Sequence, residues 1–203
     1  MKHFLPFISY VFHPIFTLLY GSLLYFFITN SYFTYQTIYF YLLQILIVSV
    51  FIPLLIFYFL ISSGKIDSIM VFQVAQRKIP LYIQIILVLI LMNFVVNDIS
   101  LFELSLFYVA NLVSCIICLL LVYINKKASL HMVGIASITI YCAQLYLYFG
   151  ISEVLLLSFF IALTGLVATS RLFMKAHSFL ELLLGFFIGV IPQAVIFYFS
   201  YKI

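Results

Sequence analysis

The segment SRLFMKAHSFLE, residues 170–181, combines side chains that suit phosphate chemistry. Arg171 can bind phosphate oxygens in bidentate fashion and offset developing negative charge. His177 follows six residues later, and Glu181 lies four residues beyond it. If the chain is helical from His177 onward, the carboxylate lies one turn away on the same face. It could then hold the imidazole in one tautomer and stabilise its cationic form, as a carboxylate does in a catalytic triad.

Two other polar segments offer groups that suit the same chemistry. NKKASLH contributes Lys127, the hydroxyl of Ser129 and the imidazole of His131, and QVAQRKIP contributes Arg77. Two histidines can divide the nucleophile and general-acid roles between them. No cysteine–histidine or acidic cluster in the sequence indicates a metal site. We therefore expect chemistry that needs neither a metal nor another cofactor.

These basic residues also have an ordinary explanation. Cations at the ends of cytoplasmic loops commonly set membrane topology or anchor lipid headgroups, and Lys78, Lys126 and Lys175 fit that description. A lone histidine at an interface is more often structural than catalytic. The joint spacing of the three segments, rather than any single residue, favours a site. The net charge of +4 is too small and too scattered to indicate a nucleic-acid partner.

The pattern S-R-x5-H-x3-E in residues 170–181 resembles the third signature of the type 2 phosphatidic acid phosphatase superfamily, normally S-R-x5-H-x3-D. The resemblance implies that Arg171 binds phosphate and that His177 attacks phosphorus to form a phosphohistidine. It also implies that Glu181, one methylene longer than aspartate, orients that histidine.

KASLH, residues 127–131, resembles the second signature of the same superfamily, P-S-G-H. This similarity implies that Ser129 binds phosphate and that His131 protonates the leaving alkoxide. RKIP is a weak counterpart of the first signature, K-x6-R-P, and implies a phosphate-binding role for Arg77. The resemblance covers about residues 65–200, including the order of the motifs along the chain.

Two of the signatures are incomplete in this chain. The lysine of the first signature is missing, because Met70 stands seven residues before Arg77. The second signature has Ala128 and Leu130 in place of its proline and glycine. We hypothesise that Lys127, two residues before the serine, supplies the cation that the first signature lacks.

The composition predicts the scaffold that must position these residues. Of the 203 residues, 67% are hydrophobic and 7% are charged, and the mean hydropathy is +1.34. A soluble domain carries roughly a quarter charged residues, and a span needs about 20 apolar residues. We therefore expect an all-α transmembrane bundle of about six to seven helices that forms a single integral membrane domain. The amino terminus lacks a clear signal-peptide cleavage site and is expected to continue into the first span.

Charged and turn residues divide the chain into seven candidate helices. Because each helix crosses the membrane once, segments separated by an even number of helices lie on the same side. This parity places the amino terminus and the loops after helices two, four and six on one side, together with eight of the nine basic residues. The positive-inside rule makes that side cytoplasmic, with Lys2 on it and Asp98, Glu103, Glu153 and Lys202 opposite. The predicted helices are Val11–Thr29, Ile38–Ser62, Pro80–Asn97, Leu104–Ile124, Met132–Phe149, Val154–Thr169 and Leu182–Tyr201.

The sequence thus predicts a membrane-embedded, metal-independent phosphatase that hydrolyses a lipid phosphomonoester or pyrophosphate in a bacterial inner (plasma) membrane. Its partners would be the lipid substrate and the bilayer, and its lipid and oligomeric state stay open. One alternative is an inactive relative that binds lipids or acts as a scaffold. Another is a small transporter, although the helices hold few polar groups near the midplane, which argues against ion coupling. Cys115, Cys118 and Cys142 are expected to be packing residues.

Overall fold

The computed structural model describes residues 4–95, 99–152 and 154–201. Of the residues in these ranges, 84% are helical and none lies in a strand. Within these ranges, seven stretches are long and apolar enough to cross a membrane, which confirms the predicted all-α bundle. The seven stretches are Phe4–Tyr32, Tyr35–Ser62, Ala75–Asn93, Phe102–Tyr123, Leu130–Phe149, Leu155–Phe173 and Phe179–Tyr201.

In the described part of the chain, nine α-helices build these stretches, because the first two stretches contain interruptions. A 3₁₀ turn at Pro14–Phe16 divides the first stretch, and a π-helical turn at Ile47–Phe51 divides the second. The helices are α1 Phe4–Val11, α2 Thr17–Thr29, α3 Tyr35–Leu46, α4 Ile52–Ser62, α5 Lys78–Val95, α6 Phe102–Tyr123, α7 Leu130–Phe149, α8 Leu155–Phe173 and α9 Phe179–Tyr201.

Several boundaries differ from the predicted ones in a way that affects the candidate residues. The first stretch begins at Phe4 instead of Val11, so the amino-terminal segment is an additional short helix. Helix α8 continues to Phe173, which places Arg171 in its last turn rather than in the following loop. Helix α9 begins at Phe179, which places Glu181 in its first turn. The predicted end of the third helix at Asn97 lies outside the described residues.

Helix α7 lies at the centre of the bundle. It packs against α9, α8, α2 and α6. Two glycines of α9 allow a close approach: a Cβ at Gly185 would lie 2.6 Å from the carbonyl oxygen of Ser129, and one at Gly189 would lie 2.5 Å from that of Val133. Small residues four apart bring membrane helices together in this way. The amino-terminal ends of α7 and α9 are therefore held side by side.

The loops after the second, fourth and sixth stretches meet at one end of the bundle, as parity requires. The Ser129 N–H donates to the carbonyl of Glu181 (3.1 Å), which joins the fifth stretch to the seventh. Arg77 Nη1 donates to the carbonyl of Ala128 (2.8 Å), which joins the third to the fifth. Which side this end faces stays a prediction, and Lys2, Asp98, Glu153 and Lys202, on which it partly depended, lie outside the described residues.

Candidate active site

Among the described residues, five histidine and arginine side chains line a cavity at this end of the bundle. It offers about 90 Å³ to the centres of water-sized atoms, several times the roughly 10–15 Å³ that a single water needs. Part of its wall comes from α5 and α6 and includes Gln84 and Asn111. The space therefore suits a small group such as a phosphate. The histidines and arginines that line it are His13, Arg77, His131, Arg171 and His177.

Arg77 is held by the loops on either side of the cavity. It ends the 3₁₀ turn Ala75–Arg77 and is almost fully buried. Its Nε donates to the carbonyl of Val71 (3.0 Å), and its Nη1 donates to the carbonyl of Ala128 (2.8 Å). These bonds fix the plane of the guanidinium without neutralising its charge.

Arg171 is the least satisfied cation of the cavity. It is only 1% exposed, and its Nε has no hydrogen-bond partner. Its Nη1 lies 3.7 Å from the sulfur of Met70 and 3.8 Å from that of Met174, both weak acceptors. In the described part of the chain, no carboxylate pairs with Arg171 or Arg77. A buried charge without a counter-ion is strongly unfavourable, so a bound anion would stabilise the guanidinium in this cavity.

His177 and Glu181 form the hydrogen-bonded pair that their spacing predicted. His177 Nδ1 lies 2.8 Å from Glu181 Oε2. The same carboxylate oxygen accepts from the N–H of Ser178 (3.2 Å), while the Ser178 hydroxyl accepts from the N–H of Glu181 (3.3 Å). This reciprocal pair is a capping box encoded by S-F-L-E, and it starts α9 at this point. Glu181 therefore caps the helix and orients the imidazole at the same time.

The electrostatic surroundings keep His177 neutral. Burial lowers the pKa of the imidazole to about 4, and the charges of Arg77, Arg171 and Lys127 add to that effect. The hydrogen bond to Glu181 acts in the opposite direction without cancelling it. At neutral pH the ring therefore donates Nδ1–H to the carboxylate and leaves Nε2 with a free lone pair, which is the form that a nucleophile needs.

His131 lies in the first turn of α7 and lines the same cavity. Its Nε2 lies 3.0 Å from the carbonyl oxygen of Ser9, so this nitrogen carries a proton. The ring stands edge-on to that of His13, with 5.3 Å between the ring centroids. The two predicted catalytic imidazoles, His131 and His177, thus border one space between α7 and the start of α9.

Ser129 and Lys127, like Glu181, lie beside the cavity rather than on its lining. The hydroxyl of Ser129 is fully buried and has no hydrogen-bond partner among the described residues. Lys127 Nζ lies 3.8 Å from Glu181 Oε2 and 3.4 Å from the carbonyl oxygen of Ala176. The lysine therefore pairs with the carboxylate that orients His177, and its role as the replacement for the missing signature lysine stays a prediction.

His13 was not selected from the sequence, yet it lines the cavity. Its Nδ1 accepts the N–H of Ile15 (3.3 Å), and its Nε2 lies 3.2 Å from the carbonyl oxygen of Ile69. The available signal was an isolated histidine directly before a proline at the edge of a long apolar run. Cys115 and Cys118, expected only to pack, also border the cavity.

Fold and site together define a multi-pass α-helical membrane protein with a buried, cation-lined cavity at one end of its bundle. Among the described residues, no group of three or more histidine, cysteine or acidic side chains is arranged to hold a metal ion. No family model matches the chain, and neither does any curated protein or solved structure.

Proposed function

We propose that the protein is a membrane-embedded phosphatase that hydrolyses a phosphomonoester or pyrophosphate group of a lipid through a phosphohistidine intermediate. The observation that carries the proposal is the buried guanidinium of Arg171, which has no anionic partner and borders the same cavity as two histidines. An incoming phosphate supplies the missing negative charge, and Arg77 provides a second cation beside it.

In the first step His177 Nε2 attacks phosphorus. The N–P bond forms as the bond between phosphorus and the leaving oxygen breaks, and the leaving oxygen takes the Nδ1 proton of a doubly protonated His131, whose Nε2–H stays on the Ser9 carbonyl. Glu181 accepts the Nδ1–H of His177 (2.8 Å) and stabilises the positive charge that develops on this ring. The two arginines stabilise the charge on the phosphoryl oxygens, which is usually the largest contribution to catalysis.

In the second step water attacks the phosphohistidine. His131 accepts the proton of that water, the N–P bond breaks, and inorganic phosphate leaves with His177 neutral again. The low pKa of His177, about 4, makes the imidazole a good leaving group because its neutral form is favoured at neutral pH. Both steps use only groups of this chain and water.

The experiment is phosphate release by the purified protein in detergent or vesicles from a panel of lipid phosphates and pyrophosphates. His177→Ala removes the nucleophile and is expected to abolish release. Lys175→Ala, an exposed residue of the same loop, is the matched control and retains it. Trapping of radiolabelled phosphate on wild type, but not on His177→Ala, would identify the intermediate. Equal release by wild type and His177→Ala would end the proposal.

A second candidate function is a protein that binds lipid phosphate headgroups without turnover. The methionine at position 70 favours it, because the resemblance calls for a lysine there, and Met70 Sδ contacts Arg171 Nη1 (3.7 Å). Such a protein would bind orthovanadate or a lipid phosphate through Arg77 and Arg171 and release no phosphate. The same assay, combined with vanadate binding, distinguishes the two candidates.

A further inference from the structure

We infer that α1 is a positioning element for His131: the carbonyl of Ser9, freed at the carboxyl end of this short helix, holds the imidazole and supports its protonated form. The inference rests on the proposed phosphatase function, in which His131 is the acid. It assigns a role to a segment that none of the three signature-like motifs contains.

The Ser9 carbonyl is available because α1 ends in front of a proline. The last backbone bond of the helix joins the N–H of Phe12 to the carbonyl of Ile8 (2.9 Å). Pro14 has no N–H, and the chain turns there into the 3₁₀ segment Pro14–Phe16. The carbonyls of a last helical turn need partners from outside the helix. His131 Nε2–H provides one for Ser9 at 3.0 Å.

Buried hydroxyls tie α1 to the segment that carries Arg171. The hydroxyls of Ser9 and Ser170 lie 2.7 Å apart, and Ser170 donates its proton to the carbonyl of Leu5 (2.5 Å), so Ser9 is the donor to Ser170. Both serines are fully buried. Ser170 directly precedes Arg171, and Ser9 directly holds His131. The helix therefore sets the distance between a phosphate-binding cation and the imidazole.

The same contact favours positive charge on His131. Burial of the ring and the charge of Arg171, which borders the same cavity, oppose a cation there. The carboxyl end of a helix carries partial negative charge, which stabilises a protonated histidine within its last turn. His13 does not compete for this role, because both of its ring nitrogens already bind backbone groups of Ile15 and Ile69. A carboxylate thus holds the proposed nucleophile, and a helix end holds the proposed acid.

The test weakens the Ser9 carbonyl as a hydrogen-bond acceptor without changing any side chain. Nonsense suppression replaces Tyr10, whose side chain is exposed, with its α-hydroxy acid, so that Ser9 gains an ester carbonyl, a poorer hydrogen-bond acceptor. The matched control carries the same ester at Tyr39, an exposed residue of α3. Both variants are assayed with an alkyl lipid phosphate, whose leaving oxygen needs a proton, and with 4-nitrophenyl phosphate, whose leaving oxygen does not.

The Tyr10 ester is expected to lower kcat/KM for the alkyl phosphate by about tenfold and to change that for the aryl phosphate less than about threefold, because only the former depends on a general acid. The Tyr39 ester leaves both values near wild type. Equal losses for the two substrates, or no loss for either, overturn the inference.

A second measurement separates this inference from the proposed function. Nitrogen-15 NMR of histidine-labelled protein reports which ring nitrogens of His131 carry protons, and Nε2–H is expected in both the neutral and the charged ring. If wild type releases no phosphate from any substrate, the phosphatase proposal fails, whereas this spectrum still tests the contact with Ser9. A neutral His131 that carries its proton on Nδ1 overturns the inference independently of activity.

Discussion

The sulfur of Met70 lies 3.7 Å from Nη1 of Arg171 inside the cavity, although 101 residues separate the two in sequence. The position at which the resemblance calls for a lysine therefore faces the phosphate-binding arginine that the resemblance assigns. In this chain the place is taken by a polarizable but uncharged side chain. The cavity consequently holds fewer fixed cations than the full signature would provide.

Met70→Lys is expected to increase anion binding by the cavity. A third cation beside Arg171 strengthens attraction for a phosphate-like ion, while it adds like-charge repulsion when no ion is bound. We expect tighter orthovanadate binding, a lower Tm without vanadate and a larger rise in Tm on its addition. Thermal unfolding at increasing vanadate concentration measures all three.

The control for this variant is Met174→Lys. Met174 also contacts Arg171 (3.8 Å) but does not border the cavity. A charge placed there is expected to leave vanadate binding near the wild-type value. Weaker vanadate binding by Met70→Lys than by wild type would contradict the interpretation of this position.

Glu181→Gln is expected to lower kcat by roughly 10²–10⁴-fold, because a neutral amide neither fixes the imidazole tautomer nor stabilises its positive charge. Glu181→Asp keeps the charge and is expected to retain activity. Initial rates at saturating lipid phosphate measure the difference. If the glutamine variant were as active as the aspartate variant, the orienting role of the carboxylate would be wrong.

The charge state of His177 makes both the activity and the stability of the protein depend on pH, each in a defined direction. Its pKa is lowered from the ordinary value of 6.5 to about 4, so the ring is neutral above about pH 5 and becomes protonated as the pH falls through 4. Activity that depends on the neutral ring persists to mildly acidic pH and is lost below it. Between about pH 4 and 6.5 the imidazole is protonated in the unfolded state but not in the folded state. In that range this residue therefore makes the free energy of unfolding rise with pH.

An NMR titration of carbon-13-labelled histidine in the free protein checks this value without interference from substrate ionisation. Because the Glu181 hydrogen bond raises the pKa of His177, Glu181→Gln should shift the transition to still lower pH. A His177 transition near 6.5 in wild type would show that the ring is not desolvated as the structure describes.

Gly185→Ala is expected to destabilise the protein by about 1–3 kcal/mol, because overpacking at a close helix contact forces backbone shifts. The added Cβ would lie 2.6 Å from the Ser129 carbonyl oxygen, so α9 would move away from α7 and carry His177 away from His131. Both Tm and kcat should fall. Gly165→Ala is the control, since a Cβ there meets no atom within 4 Å. Equal thermal stability of the two variants would exclude the tight α7–α9 contact.

The sequence alone determined the membrane class and the most local part of the site. Apolar runs of about 20 residues identify spans because the bilayer thickness sets their length. The pair His177 and Glu181 was predictable because residues four apart on a helix are neighbours, and S-F-L-E is a local capping signal. Parity also predicted that three distant loops would meet at one end of the bundle.

Only the tertiary structure decided which other groups border the cavity. His13 and the α1 carbonyl of Ser9 reach His131 across more than a hundred residues, and hydropathy patterns carry no information about such pairings. Lys127 binds Glu181 instead of the cavity because the ends of α7 and α9 lie side by side. Periodicity predicts which face of a helix is buried, whereas the partner of that face depends on how all the helices pack together.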